Sequence, residues 1–257
     1  MGRLILDIKG IRGLGSGWDR AYVAEKVCVL ETLLKSFNSH AILDVGSSCG
    51  IGKNLSFGLE DFPMRSDSSY THLDIERSMM LKSKSSHRDS DFLLADASNL
   101  PLRDEMFDLV FASEILEHLV DSEKGLDEWC RVLEPKGYML ITTPNTSMSW
   151  KRVYLRFFEK HEVSGGHVSE YDVRNLCESL QKRSMKVLTI LGFNLVFVGP
   201  VRLFIVYLRR LLDIISDDLS VKLNRVMCRL GNSYPLFSDS VLVLCSKNQS
   251  NCSEPKE

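Results

Sequence analysis

Ala41-Ile42-Leu43-Asp44-Val45-Gly46-Ser47-Ser48-Cys49-Gly50-Ile51-Gly52 is the stretch that decides the fold. A short apolar run ends in an acid, turns through small residues and opens an apolar-periodic segment at Ile51, Leu55 and Leu59. That is the pattern of a strand, a tight turn and a helix, the first β–α crossing of an open α/β sheet. Ligands of such sheets sit at the strands' carboxyl ends. Small residues in the turn let the backbone close on a ligand.

Two common phosphate-binding patterns fail position by position. A P-loop needs a glycine five residues before its Gly-Lys pair and a Ser or Thr after it. Around Gly52-Lys53 those places hold Ser47 and Asn54. The dinucleotide pattern G-x-G-x-x-G/A fails from Gly46, which meets Ser48 and Ile51, and from Gly50, which meets Leu55. What remains is acid-x-Gly-x-(Gly)-x-Gly, carried by Asp44, Gly46, Ser48 and Gly50. It resembles the first motif of class I S-adenosylmethionine-dependent methyltransferases, with Ser48 where the middle glycine is usual. Ser48 requires ordinary backbone angles there. A strand-ending turn that holds no ligand is the alternative.

Composition sets the bounds around this motif. At 257 residues, 44% hydrophobic and 26% charged, the chain suits one large α/β domain over 1–257, or one domain with a cap. A net charge of −2 supplies no global basic field for nucleic acid. The seven cysteines are odd in number, scattered and without a C-x-x-C pair. This predicts reduced thiols in a cytoplasmic setting and no zinc knuckle. The first residues lack a secretory pattern, and Leu6 breaks the myristoylation pattern after Gly2.

Outward from the motif, apolar spacing predicts an N-terminal helix over 17–37 and a cofactor-binding core over 41–145. Within that core, strands are expected at Tyr70–Asp74, Asp91–Ala95, Met106–Ala112 and Met139–Asn145, with a helix at Asp127–Leu133. A lid and helix follow over 146–185, with Ser169 a plausible N-cap and His167 and Tyr171 candidates for the acceptor pocket. A sixth strand is expected at Lys186–Leu191, a helical insertion over 200–232, a last strand over 240–246 and a polar tail over 247–257. The insertion has three readings: pocket cap, dimer contact, or lipid contact through 200–215, the last being the lesser one.

Several strand ends carry chemistry-bearing residues. Asp74 lies about 24 positions beyond Gly50, near the roughly 20 expected of an acid gripping ribose hydroxyls. Two acceptor oxygens suit a vicinal diol. Asp96-Ala97, followed by Leu100-Pro101-Leu102, resembles the methyltransferases' third motif, whose acid accepts from the adenine amino group. Asp108 in its Phe-Asp pair reads as structural, and Leu133-Glu134-Pro135-Lys136-Gly137 is similar to the family's L-x-P-G-G turn with Lys136 at the first glycine. The resemblance runs from about Ala41 to Asn145, nearest to the quinone-biosynthesis O-methyltransferases by E-x-x-E-H and T-P-N. It implies a Rossmann-like, seven-stranded, mainly parallel sheet with helices on both faces and an antiparallel last strand. It also implies S-adenosylmethionine as cofactor, held by Asp44, Gly46, Ser47, Ser48, Gly50, Asp74, Ile75, Asp96, Ala97 and Ser113.

The candidate reactive segment is Glu114-x-x-Glu117-His118. If it turns helical after the strand, two carboxylates and an imidazole share a face. Such a set suits Mg²⁺, Mn²⁺ or Zn²⁺, with His161 or His167 completing it. Without a metal, His118 or Glu117 is the candidate general base, and a Glu117 that only caps or pairs is the plain alternative. The leading expectation is methyl transfer to a small molecule at oxygen. Its rivals are a catalytically silent cofactor-binding module and a metal-assisted RNA methyltransferase.

Overall fold

Seven strands build the sheet: β1 (Ala41–Val45), β2 (Ser69–Asp74), β3 (Asp91–Leu94), β4 (Phe107–Ser113), β5 (Leu133–Pro144), β6 (Met185–Leu195) and β7 (Ser238–Lys247). They hydrogen-bond in the order β3-β2-β1-β4-β5-β7-β6. The β1–β2, β2–β3, β1–β4 and β4–β5 pairs are parallel, and β7 runs antiparallel to both β5 and β6. The helices are α1 (Gly17–Leu34), α2 (Arg77–Ser86), α3 (Ser122–Val132), α4 (Val173–Lys182) and α5 (Asp217–Ser233). The structure is a computed structural model that describes residues 17–47, 59, 67–86, 90–145, 169, 171–195, 207–208, 211 and 216–249.

Alternation along each central strand sends neighbouring side chains to opposite faces, and both faces are covered. Leu43, Val45, Val110, Ala112, Met139 and Ile141 pack against Trp129 and Leu126 of α3 and Leu176 and Leu180 of α4. Ile42, Leu109, Phe111, Leu140 and Leu242 pack against Val23, Val27, Leu30 and Leu34 of α1. Burial on both sides explains the near-continuous apolar runs of the parallel strands.

Several boundaries shift from the expected ones. The N-terminal helix stops at Leu34 rather than 37, because Ser36 and Phe37 donate to Leu33 and Leu34 carbonyls in a tightened last turn. Helix α3 begins at Ser122, more than a turn before Asp127, because Asp121 caps it through Lys124 N–H (3.0 Å). On α4 the cap is Asp172, which accepts from Asn175 N–H (2.8 Å), so Ser169 does not cap it. Strand β5 begins at Leu133, opposite Phe107, then loops out before Tyr138 pairs with Leu109. Lys136, at the top of that loop, holds φ +67°. Strand β7 is two residues longer at its start than expected and absorbs Lys247 at its end.

The second half of the 200–232 insertion is α5, which lies beside α1 (Arg225–Glu25, 3.2 Å) with Asn224 and Cys228 buried. It therefore thickens the helical layer rather than standing over the strand tips. The first helix after the glycine-rich turn, the lid over 146–168, residues 200–206 and the tail from 250 lie outside the described residues. No helix among the described residues is long and apolar enough to cross a membrane. The five cysteines among them, at 28, 130, 177, 228 and 245, are thiols.

Candidate active site

The strand order reverses at β1 and β4: β2 and β3 extend one side, β5 to β7 the other. The crevice beyond the carboxyl ends of these two strands is the place where open α/β sheets take ligands. Asp44 stands near the tip of β1, buried (5% exposed) against His72 of β2, whose Nδ1 lies 3.0 Å from Asp44 Oδ2. Gly46 follows with φ +71°, and a Cβ there would meet the Ile115 side chain at 2.8–2.9 Å. Only glycine satisfies both the left-handed backbone and that approach. Gly46 and Ser47 N–H both donate to Leu73 O (2.8 and 3.1 Å), tying the exit of β1 to β2. Ser48 and Gly50 lie outside the described residues.

At the tip of β2, buried Asp74 accepts from Glu76 N–H through Oδ1 (2.8 Å), and Ile75 stands 73% exposed beside it. Beyond β3, Asp96 is exposed and accepts the backbone N–H and hydroxyl of Ser98, both at Oδ1 (2.8 and 2.7 Å). Those two bonds hold its carboxyl below the usual range. Ala97 is buried, and its carbonyl accepts from Trp129 Nε1 (3.0 Å). Glu128 accepts Leu100 N–H (2.7 Å), and Arg131 donates to the Leu100 and Leu102 carbonyls (3.1 and 2.8 Å). The Asp96–Arg103 loop is thus latched to α3. Trp129 was not singled out from sequence because a buried tryptophan on a helix reads as core.

Past β4 the chain departs from the expected helix. Glu114 holds φ +54°, and only Leu116–His118 form a 3-10 turn. The i, i+3, i+4 stacking of Glu114, Glu117 and His118 therefore does not arise. Glu114 Oε1 instead accepts from Lys26 Nζ of α1 (2.8 Å) and Thr142 Oγ1 (2.9 Å), and Thr142 Oγ1 meets Ser113 Oγ (2.9 Å). Glu117 is 2% exposed and accepts Thr143 Oγ1 at Oε2 (3.0 Å). Burial, then the charge of Glu114, push the Glu117 carboxyl up to about 7, against the pull of Thr143 and Lys26. His118 is half-buried. Among the described residues, no group of three or more His, Cys, Asp or Glu side chains is placed to hold a metal ion. Glu114, Glu117 and His118 thus do not form the ligand set that was one candidate reading of this segment.

Lys26, His72, Thr142 and Thr143 were missed as site residues. Lys26 sits in a helix where a lysine reads as solvated, and the others lie inside strand patterns. Tyr171, a candidate for the acceptor pocket, is buried instead with its hydroxyl donating to Ser122 Oγ (2.7 Å). His161 and His167 lie outside the described residues. Asp108 has the structural role expected, accepting His40 N–H (2.6 Å) at the start of β1.

Residues 43–141 match the family described as a methyltransferase domain. Residues 43–141 are a methyltransferase domain, with the strand-end motifs of the class I S-adenosylmethionine-dependent kind. Two curated relatives of that domain are a tRNA (carboxymethyluridine(34)-5-O)-methyltransferase from Arabidopsis thaliana, 31% identical over 52% of this chain and 33% of that protein, and a ubiquinone biosynthesis O-methyltransferase from Bartonella tribocorum, 25% identical over 51% of this chain and 53% of that one. The chain thus spans a third to about half the length of these relatives. Among solved structures, a Bacillus halodurans protein provisionally named a methyltransferase superposes with TM-score 0.60 at 15% identity, covering 88% of this chain and all of that one (100%). At that identity the likeness shows the fold alone.

The family's cofactor is S-adenosylmethionine. Carboxylates at the ends of three neighbouring strands, Asp44, Asp74 and Asp96, are a donor set that fits a group carrying positive charge, a diol and an exocyclic amine. When bound, the cofactor supplies a methyl group on a cationic sulfur.

Proposed function

We propose that the chain, read as one methyltransferase domain over 1–257, transfers a methyl group to an oxygen of a small-molecule acceptor. The observation that carries this reading is Glu117: a buried carboxyl with a pKa of about 7 beyond the tip of β4. A hydroxyl acceptor needs a group that takes its proton near working pH, and such a base is most effective when its pKa is close to that pH. His118 is the second candidate for that task.

In this reading Asp74 holds the ribose hydroxyls, Ile75 packs on the base, and Asp96 with the Ala97 amide reads the adenine edge. Asp44 faces the cationic part of the cofactor, with Gly46, Ser47, Ser48 and Gly50 turning around it and Ser113 lining the β4 side. Holding the reacting groups in line and excluding water is the larger part of the catalysis. No step uses a metal. The thiols support a cytoplasmic location.

The test is calorimetry with S-adenosylhomocysteine, followed by transfer from labelled S-adenosylmethionine to a panel of phenols, catechols and carboxylic acids. No heat at millimolar ligand overturns the reading. Binding without turnover on any acceptor supports a silent cofactor-binding module instead. The Arabidopsis tRNA-modifying relative favours a second reading, an RNA acceptor, against which the net charge of −2 counts. Salt-dependent binding of tRNA, with label passing to it, would establish that reading over the first.

A further inference from the structure

The buried imidazole of His72 belongs to none of the roles above. It sits on the sheet face shared with Asp44, because Asp44 and His72 are paired residues of two parallel strands. Its ring lies between Tyr70, two residues back on β2 (centroids 6.4 Å apart, planes 6°), and Phe92 of β3 (5.1 Å, 27°). The side chain is 3% exposed, and Asp44's is 7%. With Asp44 as a carboxylate, which only accepts hydrogen bonds, the 3.0 Å contact is a bond donated by the imidazole from Nδ1. The two flanking rings fix the plane of the imidazole, and that plane fixes the direction from which Asp44 Oδ2 is held.

We infer that His72 is a positioning residue for the cofactor, acting through Asp44. By donating from Nδ1 it commits Oδ2 and sets the orientation of the carboxylate at the tip of β1. The same stretch of β2 also receives the Gly46 and Ser47 N–H groups at Leu73 O. Side chain and backbone of residues 72–73 thus hold the acid and the turn in one arrangement before any ligand arrives. A site kept in its bound geometry loses less on ligand binding than one that must be ordered. A neutral donor serves this purpose better than a cation. It leaves the Asp44 charge intact for a ligand that is itself positive. The inference rests on the reading that Asp44 faces the cofactor.

The experiment measures S-adenosylhomocysteine affinity by calorimetry and thermal unfolding on the full chain, wild type and variants. His72→Asn keeps an N–H donor near the Nδ1 position, and its affinity should stay within about threefold of wild type. His72→Phe keeps the stacked ring without the donor and should bind about tenfold more weakly or worse, the size expected for a hydrogen bond to a charged group. Should His72→Phe fail to fold, His72→Gln replaces it, its amide reaching toward the Nε2 side, with the same loss expected. Wild-type affinity in the Phe or Gln variant overturns the inference, and so does an Asn variant as weak as they are. Asp44→Asn separates the two levels. Unchanged affinity there removes the reading of Asp44 itself, whereas loss there with no loss in the His72 variants removes only the role of His72.

Discussion

Lys26 and Glu114, 88 positions apart, form a 2.8 Å ion pair that joins the amino-terminal helix to the end of β4. Lys26 is 1% exposed while the Glu114 side chain keeps 27%, so the cation bears most of the desolvation. Thr142 shares the same carboxylate oxygen. The segment leading to Glu117 is therefore positioned by α1 as well as by the sheet.

Removing one partner of a buried pair leaves a charge uncompensated. Lys26→Met should lower unfolding free energy by about 2–3 kcal/mol, less than for a fully buried pair because Glu114 reaches solvent. Lys26→Met with Glu114→Gln should recover more than half of that loss. Urea denaturation of the two single variants and the double variant measures this directly.

Glu117 makes stability depend on pH. Its folded pKa, raised from 4.5 to about 7, means that the folded chain holds a proton the unfolded chain has released. The stabilisation is complete below about 4.5 and is lost as pH rises through about 7. The full swing is on the order of 3 kcal/mol. Melting temperature should fall between pH 5 and pH 8 in wild type, and Glu117→Gln should flatten that part of the curve.

Asp74→Ala removes the carboxylate assigned to the ribose hydroxyls and an acceptor for Glu76 N–H. Affinity for S-adenosylhomocysteine should drop by about 10- to 100-fold, as for loss of hydrogen bonds to a charged group. Titration calorimetry would show it, and an unchanged dissociation constant would remove the ribose assignment.

Lys136 occupies a left-handed backbone position at φ +67°, where the resembling turn carries glycine. Relief of that strain exceeds the extra chain entropy that glycine brings to the unfolded state. Lys136→Gly should stabilise the chain by roughly 0.5 kcal/mol, read as a higher urea midpoint at unchanged slope.

The sheet was legible because both faces of its strands are apolar, and β1 falls on Ala41–Val45 as the run from Ala41 predicts. The acids at β1 and β2 were legible because each closes such a run before a turn. Less legible were the features set by pairs distant in sequence. His72 looks like a polar break inside β2 until β1 is laid beside it with Asp44 in register. The helical reading of Glu114–His118 followed from spacing alone, whereas Gly46 pressing on Ile115 and the Lys26 pair act on that segment from two other elements. The onset of α3 was missed because Asp121 announces it by its cap rather than by an apolar stripe.

Among the described residues, strand β6 joins the sheet solely through β7. On the ribosome its backbone emerges before its β7 partner, and the edge of β5 that β7 occupies waits until residues 238–247 have been translated. Synthesis proceeds at about 5–20 residues per second, so both edges await their partner for seconds in a crowded cell. An unpaired edge of that kind recruits other strands. The closing step of biogenesis is the slotting of a late segment between two earlier ones, and it is there that chaperone dependence of this chain should concentrate.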